Sequence, residues 1–345
     1  MHVTLIVPAP FTTVSGGYGY DRRIVSGLRT LGHTVEVTEV PGTYPMADAT
    51  ARDAVCAALD AAVPGSKIVI DGLALPAFVG LDDALAARGA VGLIHHPTSL
   101  ETGTDEAARA TLRDVEQRLF RRLRTAIVTS EPTGEGLIKT FGVDPARVRT
   151  VVPGTEDAPR CVGSGQATCQ ILAIGTLIPR KGHDLLMMAL SRLFDLDWHL
   201  TIVGSETADP ACAAQLRAMA GAFGLEGKVT FAGVAVDAAL ETLWQSTDIF
   251  ALATHYEGYG MAIAEALKRG LPVVVTAGGA AGSMITPEAG MVCPVGDRDQ
   301  LSKTLRRLIY SPDLRRDIAD AAWELGKTLP SWDDQAALFA DALAS

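Results

Sequence analysis

The sequence of 345 residues lacks the features of a disulfide-stapled, membrane-spanning or nucleic-acid-binding chain. Its five cysteines include no C-x-x-C pair, which argues against a disulfide framework and against a cysteine zinc site. No run of about 18 apolar residues occurs, so we predict no segment that spans a bilayer. A formal net charge of −10 has the wrong sign for binding polyanions, and we predict no nucleic-acid partner.

The beginning of the chain also lacks the basic region of a signal peptide, because Met1-His2-Val3 leads directly into a strand-like run. We therefore expect a cytoplasmic protein. Apolar residues make up 48% of the chain, which is the composition of a globular protein. At roughly 150 residues per domain, the length predicts two domains.

The first half repeats one supersecondary pattern. A buried strand at 3–7 is followed by a helix at about 20–31 and a second strand that starts at Thr34. A strand, a helix and a strand in under 40 residues form a βαβ unit with parallel strands. Further strands are predicted at 67–70, 91–94, 126–129 and 148–152.

A Pro- and Gly-rich stretch at 153–168 has no periodicity and is predicted to be a linker. The pattern then restarts, with strands predicted at 170–174, 198–203, 228–231, 248–252 and 272–275. We therefore predict an α/β protein with two Rossmann-like, doubly wound domains, at 1–158 and 168–328, that face each other across a cleft. Such domains bind ligands beyond the carboxyl ends of their strands.

Two loops of the second half carry candidate chemistry. The loop from Gly175 to Gly182 places the adjacent cations Arg180 and Lys181 before a helix, which suits either a bound phosphate or a solvated basic turn. The second loop contains Glu257 and leads into a helix where Glu265 lies among apolar residues. We expect Glu265 to be buried, so that a core cation or a pair of ribose hydroxyls must satisfy its carboxylate.

The spacing Glu257-(seven residues)-Glu265, with Gly258-Tyr259-Gly260 inside it, resembles the E-x7-E signature of retaining glycosyltransferases of family 4, which have the GT-B fold. The Arg180-Lys181-Gly182 loop is similar to the basic phosphate-binding loop of that family. The resemblance is strong over 170–300 and weak in the first half. The Ala280–Ser283 segment departs from it, because many relatives carry a Pro-Glu pair there.

The resemblance implies a role for each matching position of the second half. Glu265 would hold the ribose hydroxyls of a nucleotide-sugar donor, and Arg180 and Lys181 would neutralise its diphosphate. Glu257 would contact the sugar and the pyrophosphate, and the backbone at Gly233 would line the base. The remaining donor-binding positions are Gly175, Gly258, Tyr259, Gly260 and Met261.

In the first half, the resemblance assigns the donor's phosphates to the amides of Gly16 and Gly17. The run Ser15-Gly16-Gly17-Tyr18-Gly19-Tyr20 does not form a dinucleotide fingerprint, because Arg22 stands where a further glycine is required. His95 and His96 end a predicted strand, and one of them would touch the donor sugar near the reacting carbon. We prefer His96, although either ring could instead cap the strand. We predict no metal and no cofactor, and Glu101 is the nearest candidate for a carboxylate nucleophile.

The resulting prediction is a retaining glycosyltransferase that moves a hexosyl group from a UDP-sugar, or from GDP-mannose, to an unidentified acceptor hydroxyl. Two alternatives stay open, a non-hydrolysing sugar-nucleotide epimerase and a non-catalytic sugar-nucleotide sensor. The sequence leaves the oligomeric state open.

Two further segments of the chain are amphipathic. The segment 109–124 carries six arginines, and we favour a solvated helix face over contact with a membrane surface because acidic residues interrupt the charge. The segment 329–345 is predicted to be a helix that returns to the first domain.

Overall fold

The computed structural model describes residues 1–101 and 105–345 and divides the chain into two compact units. One unit comprises Met1–Gly154 with Pro330–Ser345, and the other comprises Thr155–Leu329. The chain first passes from one unit into the other after Gly154, near the start of the Pro- and Gly-rich stretch at 153–168. No helix in the described part of the chain is long and apolar enough to cross a bilayer.

The first unit contains one parallel sheet of six strands in the order β2-β1-β3-β4-β5-β6. Its strands are β1 (His2–Pro8), β2 (Thr34–Val40), β3 (Lys67–Asp71), β4 (Val91–Ile94), β5 (Thr125–Val128) and β6 (Val148–Thr150). Its helices are α1 (Gly16–Thr30), α2 (Ala49–Ala61), α3 (Asp82–Ala87), α4 (Glu106–Phe120), α5 (Glu131–Phe141) and, from the end of the chain, α12 (Trp332–Ala344). The order reverses between β1 and β3, which creates a switch point at their carboxyl ends.

The second unit repeats this plan in the order β12-β11-β10-β7-β8-β9. Its strands are β7 (Cys169–Ile174), β8 (Trp198–Val203), β9 (Val229–Gly233), β10 (Ile249–Leu252), β11 (Val273–Thr276) and β12 (Gly290–Cys293). Its helices are α6 (His183–Leu190), α7 (Pro210–Ala222), α8 (Asp237–Gln245), α9 (Met261–Lys268), α10 (Arg298–Tyr310) and α11 (Pro312–Lys327). The sequence predicted five of these strands, and the edge strand β12 was not predicted.

Both sheets have the hydrophobic pattern of parallel strands that are covered on two faces. All residues of β4, β5, β10 and β11 are buried, which explains why these strands have continuous apolar runs instead of an alternating pattern. Apolar helix faces pack on the sheets and form a separate core in each unit. The predicted doubly wound α/β class is confirmed.

The start of α1 corrects the sequence prediction. The helix was predicted from about Tyr20, but it begins at Gly16, because the Ser15 Oγ accepts a hydrogen bond from the Tyr18 amide at 3.3 Å and caps the first turn. Gly16 and Gly17 therefore belong to the helix and not to a preceding loop. Their amides are among the first-turn donors that an α-helix leaves without intrahelical partners.

Helix α12 packs against α1 within the first unit. A β-carbon placed at Gly27 would lie 2.4 Å from the Cβ of Ala336, so the two helices meet at a contact that admits no larger side chain. Near the other end of this contact, the rings of Tyr20 and Trp332 pack edge to face with centroids 5.8 Å apart. The Tyr20 hydroxyl also donates to the carbonyl of Val151 at 3.0 Å.

We predict that Gly27→Ala destabilises the protein by about 1–3 kcal/mol because the added methyl group forces α1 away from α12. The sign is informative, since an exposed Gly→Ala change in a helix normally stabilises it by about 0.8–1 kcal/mol. Urea unfolding followed by circular dichroism measures the change.

Two variants control this prediction. Gly136→Ala in α5 meets no atom within 4 Å and is expected to stabilise the protein. Gly27→Ala combined with Ala336→Gly restores space at the contact and is expected to recover part of the loss. Equal free energies of unfolding for Gly27→Ala and Gly136→Ala would contradict the prediction, because they would show that α1 and α12 accommodate the added methyl group without loss of stability.

Candidate functional site

The loop after β7 is held in one conformation by a glycine and a histidine. Gly182 has a φ of +63°, and a β-carbon there would lie 1.9 Å from the carbonyl oxygen of Ala253. His183 is buried, which lowers its pKa to about 4, so its neutral ring donates through Nε2 to the Gly175 carbonyl at 3.0 Å. These contacts fix the short turn that carries Arg180 and Lys181.

The two cations of this turn surround the carboxylate of Glu257. Lys181 Nζ lies 2.5 Å from Glu257 Oε1, and the nearest guanidinium nitrogen of Arg180 lies 3.9 Å from Oε2. The Arg180 guanidinium also donates to the Tyr256 carbonyl at 2.8 Å. The structure therefore brings the predicted phosphate loop and the first glutamate of the E-x7-E motif into direct contact.

Glu257 itself is buried, with 6% of its surface exposed. Burial by itself disfavours the charged carboxylate, but the charges of Lys181 and Arg180 outweigh it and hold the pKa of Glu257 below its usual value. Glu257 is therefore ionised at neutral pH. It holds both cations at the carboxyl edge of the sheet.

The backbone around Glu257 is fixed from both sides. Its amide donates to the Gly278 carbonyl at 3.1 Å, and its carbonyl accepts from the Ala280 amide at 2.8 Å. A β-carbon at Gly279 would lie 2.3 Å from the Glu257 carbonyl oxygen. The segment from Ala280, which departs from the family pattern, thus supports Glu257 through its backbone.

The loop then enters α9 through a second glycine. Gly260 has a φ of +104° and precedes Met261, the first residue of the helix, and Gly270 follows the helix with a φ of +68°. Glu265 is half-buried, which corrects the expectation of a buried carboxylate: Ile263, Ala264, Ala266 and Leu267 face the core, and Glu265 lies at the margin of that face.

Two further predicted positions lie at the same edge of the second unit. Gly233 ends β9 with a φ of +66°, and its carbonyl accepts from the Gly204 amide at 2.8 Å. Tyr259 follows Gly258 in the loop before α9, and burial raises the pKa of its hydroxyl to about 12. The carboxyl ends of β7, β9 and β10 therefore carry, at or just beyond them, Gly175, Arg180, Lys181, Gly233 and the 257–261 segment.

The first unit brings together the other predicted residues. His95 and His96 follow β4, and a β-carbon at Gly17 would lie 3.3 Å from Cδ2 of His95, so the start of α1 contacts that ring. His95 Nε2 lies 3.0 Å from Oδ1 of Asp21. His96 Nε2 lies 3.0 Å from Oε2 of Glu101, which pairs the preferred histidine with the candidate nucleophile.

Three buried acids near these histidines were missed by the sequence analysis. Asp21 on α1 is fully buried and Asp71 at the end of β3 is nearly so, and both face His95. Glu116 on α4 is 1% exposed and accepts hydrogen bonds from the amides and hydroxyls of Thr98 and Ser99, just beyond the histidines. The sequence signal that could have identified such an acid is a polar residue on an otherwise apolar helix face. Asp21 has this position, because it lies on the same face of α1 as Ile24, Val25 and Leu28.

Comparisons with known proteins agree with this architecture. Residues 163–324 match the family model described as glycosyl transferases group 1. Mannosylfructose-phosphate synthase of Agrobacterium fabrum is 30% identical over 176 residues, which cover 46% of this chain and 38% of that protein. The chain spans between 38% and 64% of the length of three curated relatives that it matches.

Solved structures match the whole chain at low sequence identity. Sucrose-phosphate synthase of Thermosynechococcus elongatus superposes with a TM-score of 0.82 at 18% identity, covering 99% of this chain and 97% of that one. HepE of Anabaena in complex with UDP-glucose gives a TM-score of 0.77 at 16% identity, covering 100% and 99% of the two chains. These matches confirm the GT-B fold.

We predict that Glu257→Gln lowers the free energy of unfolding by about 3–5 kcal/mol at pH 7, because it removes the charged partner of two largely buried cations. The folded-state pKa of Glu257 is lowered, so its contribution is present above the unfolded pKa of about 4.3 and is lost as the pH falls through the folded value. The stability difference between wild type and variant should therefore shrink as the pH falls below about 4.

Urea unfolding at pH 7 and at low pH, followed by tryptophan fluorescence, measures this difference. The matched control is Glu135→Gln, which removes the carboxylate of an exposed Lys139–Glu135 pair with an N–O distance of 2.6 Å. Its stability should be nearly that of the wild type, since an exposed pair contributes little. Equal effects of the two variants would refute the role given to burial at Glu257.

Proposed function

We propose that this protein is a retaining glycosyltransferase that moves a hexosyl group from a nucleotide diphosphate sugar to an acceptor hydroxyl. The observation that carries the proposal is the pair of cations, Arg180 and Lys181, held by buried Glu257 at the carboxyl edge of the second sheet. This edge is where doubly wound domains bind ligands. The match of residues 163–324 to the group 1 family supports it.

The cations suit the leaving group of the proposed reaction. As the bond from the sugar carbon to the phosphate oxygen breaks, negative charge grows on the departing nucleoside diphosphate. Fixed cations stabilise that charge more in the transition state than in the ground state, and losing one such group typically costs about 10²–10³ in rate. Because Glu257 already fixes both side chains, little reorganisation is required when the donor binds.

The second glutamate and the start of α9 are proposed to bind the rest of the donor. Glu265, at the margin of the buried face of α9, accepts the ribose hydroxyls, and Glu257 also contacts the sugar. The amides of Gly258, Tyr259, Gly260 and Met261 receive phosphate or sugar oxygens, since a helix N-terminus favours anions. Gly175 and Gly233 line the donor, and Gly233 lies beside the base.

The first unit is proposed to receive the acceptor and to contribute Gly16, Gly17, His95 and His96 to the reaction. The acceptor oxygen bonds to the anomeric carbon on the face that the phosphate leaves, through an oxocarbenium-like state. The departing phosphate takes the acceptor's proton, so no carboxylate nucleophile and no metal is required. Glu101 is then assigned to orienting His96, to which it is hydrogen-bonded.

We propose a UDP-sugar as the first choice of donor and GDP-mannose as the second. HepE, whose fold this chain shares, was solved with UDP-glucose, while the Agrobacterium relative is named for a mannosyl product. The acceptor is a hydroxyl on a glycan, a lipid or a small molecule.

A donor panel tests the proposal directly. The purified protein is incubated with UDP- and GDP-sugars, and nucleotide release is measured with and without a cell extract as the source of acceptor. Extract-dependent release with an α-configured product from an α-configured donor supports retaining transfer. A change of sugar configuration without extract would identify an epimerase, and binding without any turnover would identify a sensor.

We predict that Glu265→Ala weakens UDP or GDP binding at least tenfold, because a hydrogen bond to a charged group contributes about 1.5–3 kcal/mol. Isothermal titration calorimetry with both nucleotides measures the effect. Glu288→Ala, at an exposed position of the same unit, is the matched control and should bind as the wild type does. Unchanged affinity in Glu265→Ala would refute the ribose assignment.

We further predict that Lys181→Ala lowers turnover by about 10²-fold while changing donor affinity less, since the charge that it stabilises develops in the transition state. Steady-state kinetics with the donor found in the panel separate kcat from KM. A loss confined to KM would instead assign Lys181 to binding the ground state.

A further inference from the structure

Three titratable side chains converge at the carboxyl edge of the first sheet. Asp21 comes from α1, Asp71 from the end of β3 and His95 from the residue after β4. His95 Nε2 lies 3.0 Å from Asp21 Oδ1 and 3.6 Å from Asp71 Oδ2. One ring nitrogen is therefore shared between two carboxylates that come from different elements of the fold.

The net charge of this cluster depends on which of its side chains carry a proton. Burial raises the pKa of Asp21 to about 7, because a carboxylate without solvent is costly to ionise. Burial alone would lower the pKa of His95, but the facing carboxylates outweigh it and raise that pKa to about 10. The neighbouring charge of Asp71 also raises the pKa of Asp21. An imidazolium at His95 with a proton on Asp21 leaves the cluster neutral.

The surroundings hold the ring in place. The Tyr20 ring packs edge to face on His95 with centroids 5.3 Å apart, and the Thr129 hydroxyl donates to the His95 carbonyl at 3.2 Å. The Tyr18 hydroxyl donates to the Pro8 carbonyl at 2.9 Å. Burial, Asp71 and Asp21 raise the pKa of Tyr18, and burial followed by Asp21 raises that of Tyr20, so both phenols stay protonated.

The two nitrogens of the His95 ring differ in their contacts. Nε2 is occupied by the aspartates, whereas Nδ1 makes no hydrogen bond with any residue in the described part of the chain. About one fifth of the His95 side chain is exposed. The ring also contacts Gly17, at the start of α1.

We propose that Asp21, with Asp71, is a positioning residue that holds His95 as a fixed imidazolium donating through Nδ1 to the bound nucleotide sugar. The inference rests on the proposed function and changes the choice between the two histidines, since His95 becomes the ring that meets the donor. Asp21 acts through His95 and does not itself touch the substrate. Its Oδ2 has no hydrogen-bond partner among the described residues, and its Oδ1 is paired with the His95 ring.

The first experiment observes the ring directly and does not depend on activity. Long-range ¹H–¹⁵N NMR of the labelled protein follows the seven histidines from pH 6 to pH 9, with His95→Gln to assign the resonance. We expect His95 to stay an imidazolium up to pH 9 in the wild type and to become neutral below pH 8 in Asp21→Asn. The matched control is Asp53→Asn, at an exposed aspartate of α2, which should leave His95 unchanged.

Three outcomes would overturn the proposal. One is a neutral His95 ring at pH 7 in the wild type, and another is a His95 titration that Asp21→Asn does not alter. The third is a shift of the His95 resonances by one equivalent of Zn²⁺ or Mg²⁺, because the same three groups could hold a metal ion in place of the proton. If circular dichroism shows Asp21→Asn to be unfolded, Asp71→Asn serves the same comparison.

The second experiment connects the ring to catalysis. With the donor found in the panel, we expect kcat of Asp21→Asn to fall progressively between pH 6 and pH 9, reaching a loss of roughly 10-fold to 100-fold, with KM within threefold of the wild type. A uniform loss at all pH values would indicate a structural role and overturn the proposal. If NMR shows the fixed imidazolium but no sugar donor is turned over by the wild type, the proposed function fails and the pairing of His95 stands.

Discussion

The ion pair between Glu257 and Lys181, with Arg180 close by, is the interaction on which the proposed chemistry of the second unit depends. Two adjacent cations repel each other if no anion lies between them. A buried carboxylate without a cation would be protonated. Each charge therefore requires the others, and together they fix a positive region that is formed before any ligand arrives.

The charged cluster of the first unit contains more carboxylates than cationic groups, which is the opposite of the cluster in the second unit. There, two carboxylates face one imidazole, so a proton has to complete the balance, whereas in the second unit two cations face one carboxylate. The first arrangement favours a cationic ring whose carboxylates are hidden beneath it, and the second leaves a net positive edge. Burial acts on different groups in the two arrangements.

The sequence predicts the fold well because parallel strands buried on both faces have continuous apolar runs, as in β5 and β10. It predicts the edge strand β12 poorly, since Gly290–Cys293 is short and partly exposed. The prediction from the sequence was also wrong about Glu265, which it expected to be buried, and it did not identify Asp21, which is buried. Glu265 and Asp21 both lie beside apolar residues on a helix, but only packing decides how wide the covered face is, and that width includes Asp21 and leaves Glu265 at the margin.

The location of the candidate site follows from topology, while its protonation state follows from packing. In each sheet the strand order reverses next to the first strand, between β1 and β3 and between β7 and β10. Loops at that reversal diverge, so residues distant in sequence, such as Lys181 and Glu257 or Asp21 and His95, can meet there. A sequence pattern can indicate which loops reach this edge. It cannot indicate that Asp21, five residues beyond Gly16 where α1 begins, turns inward beneath His95, because that contact depends on how α1 lies on the sheet.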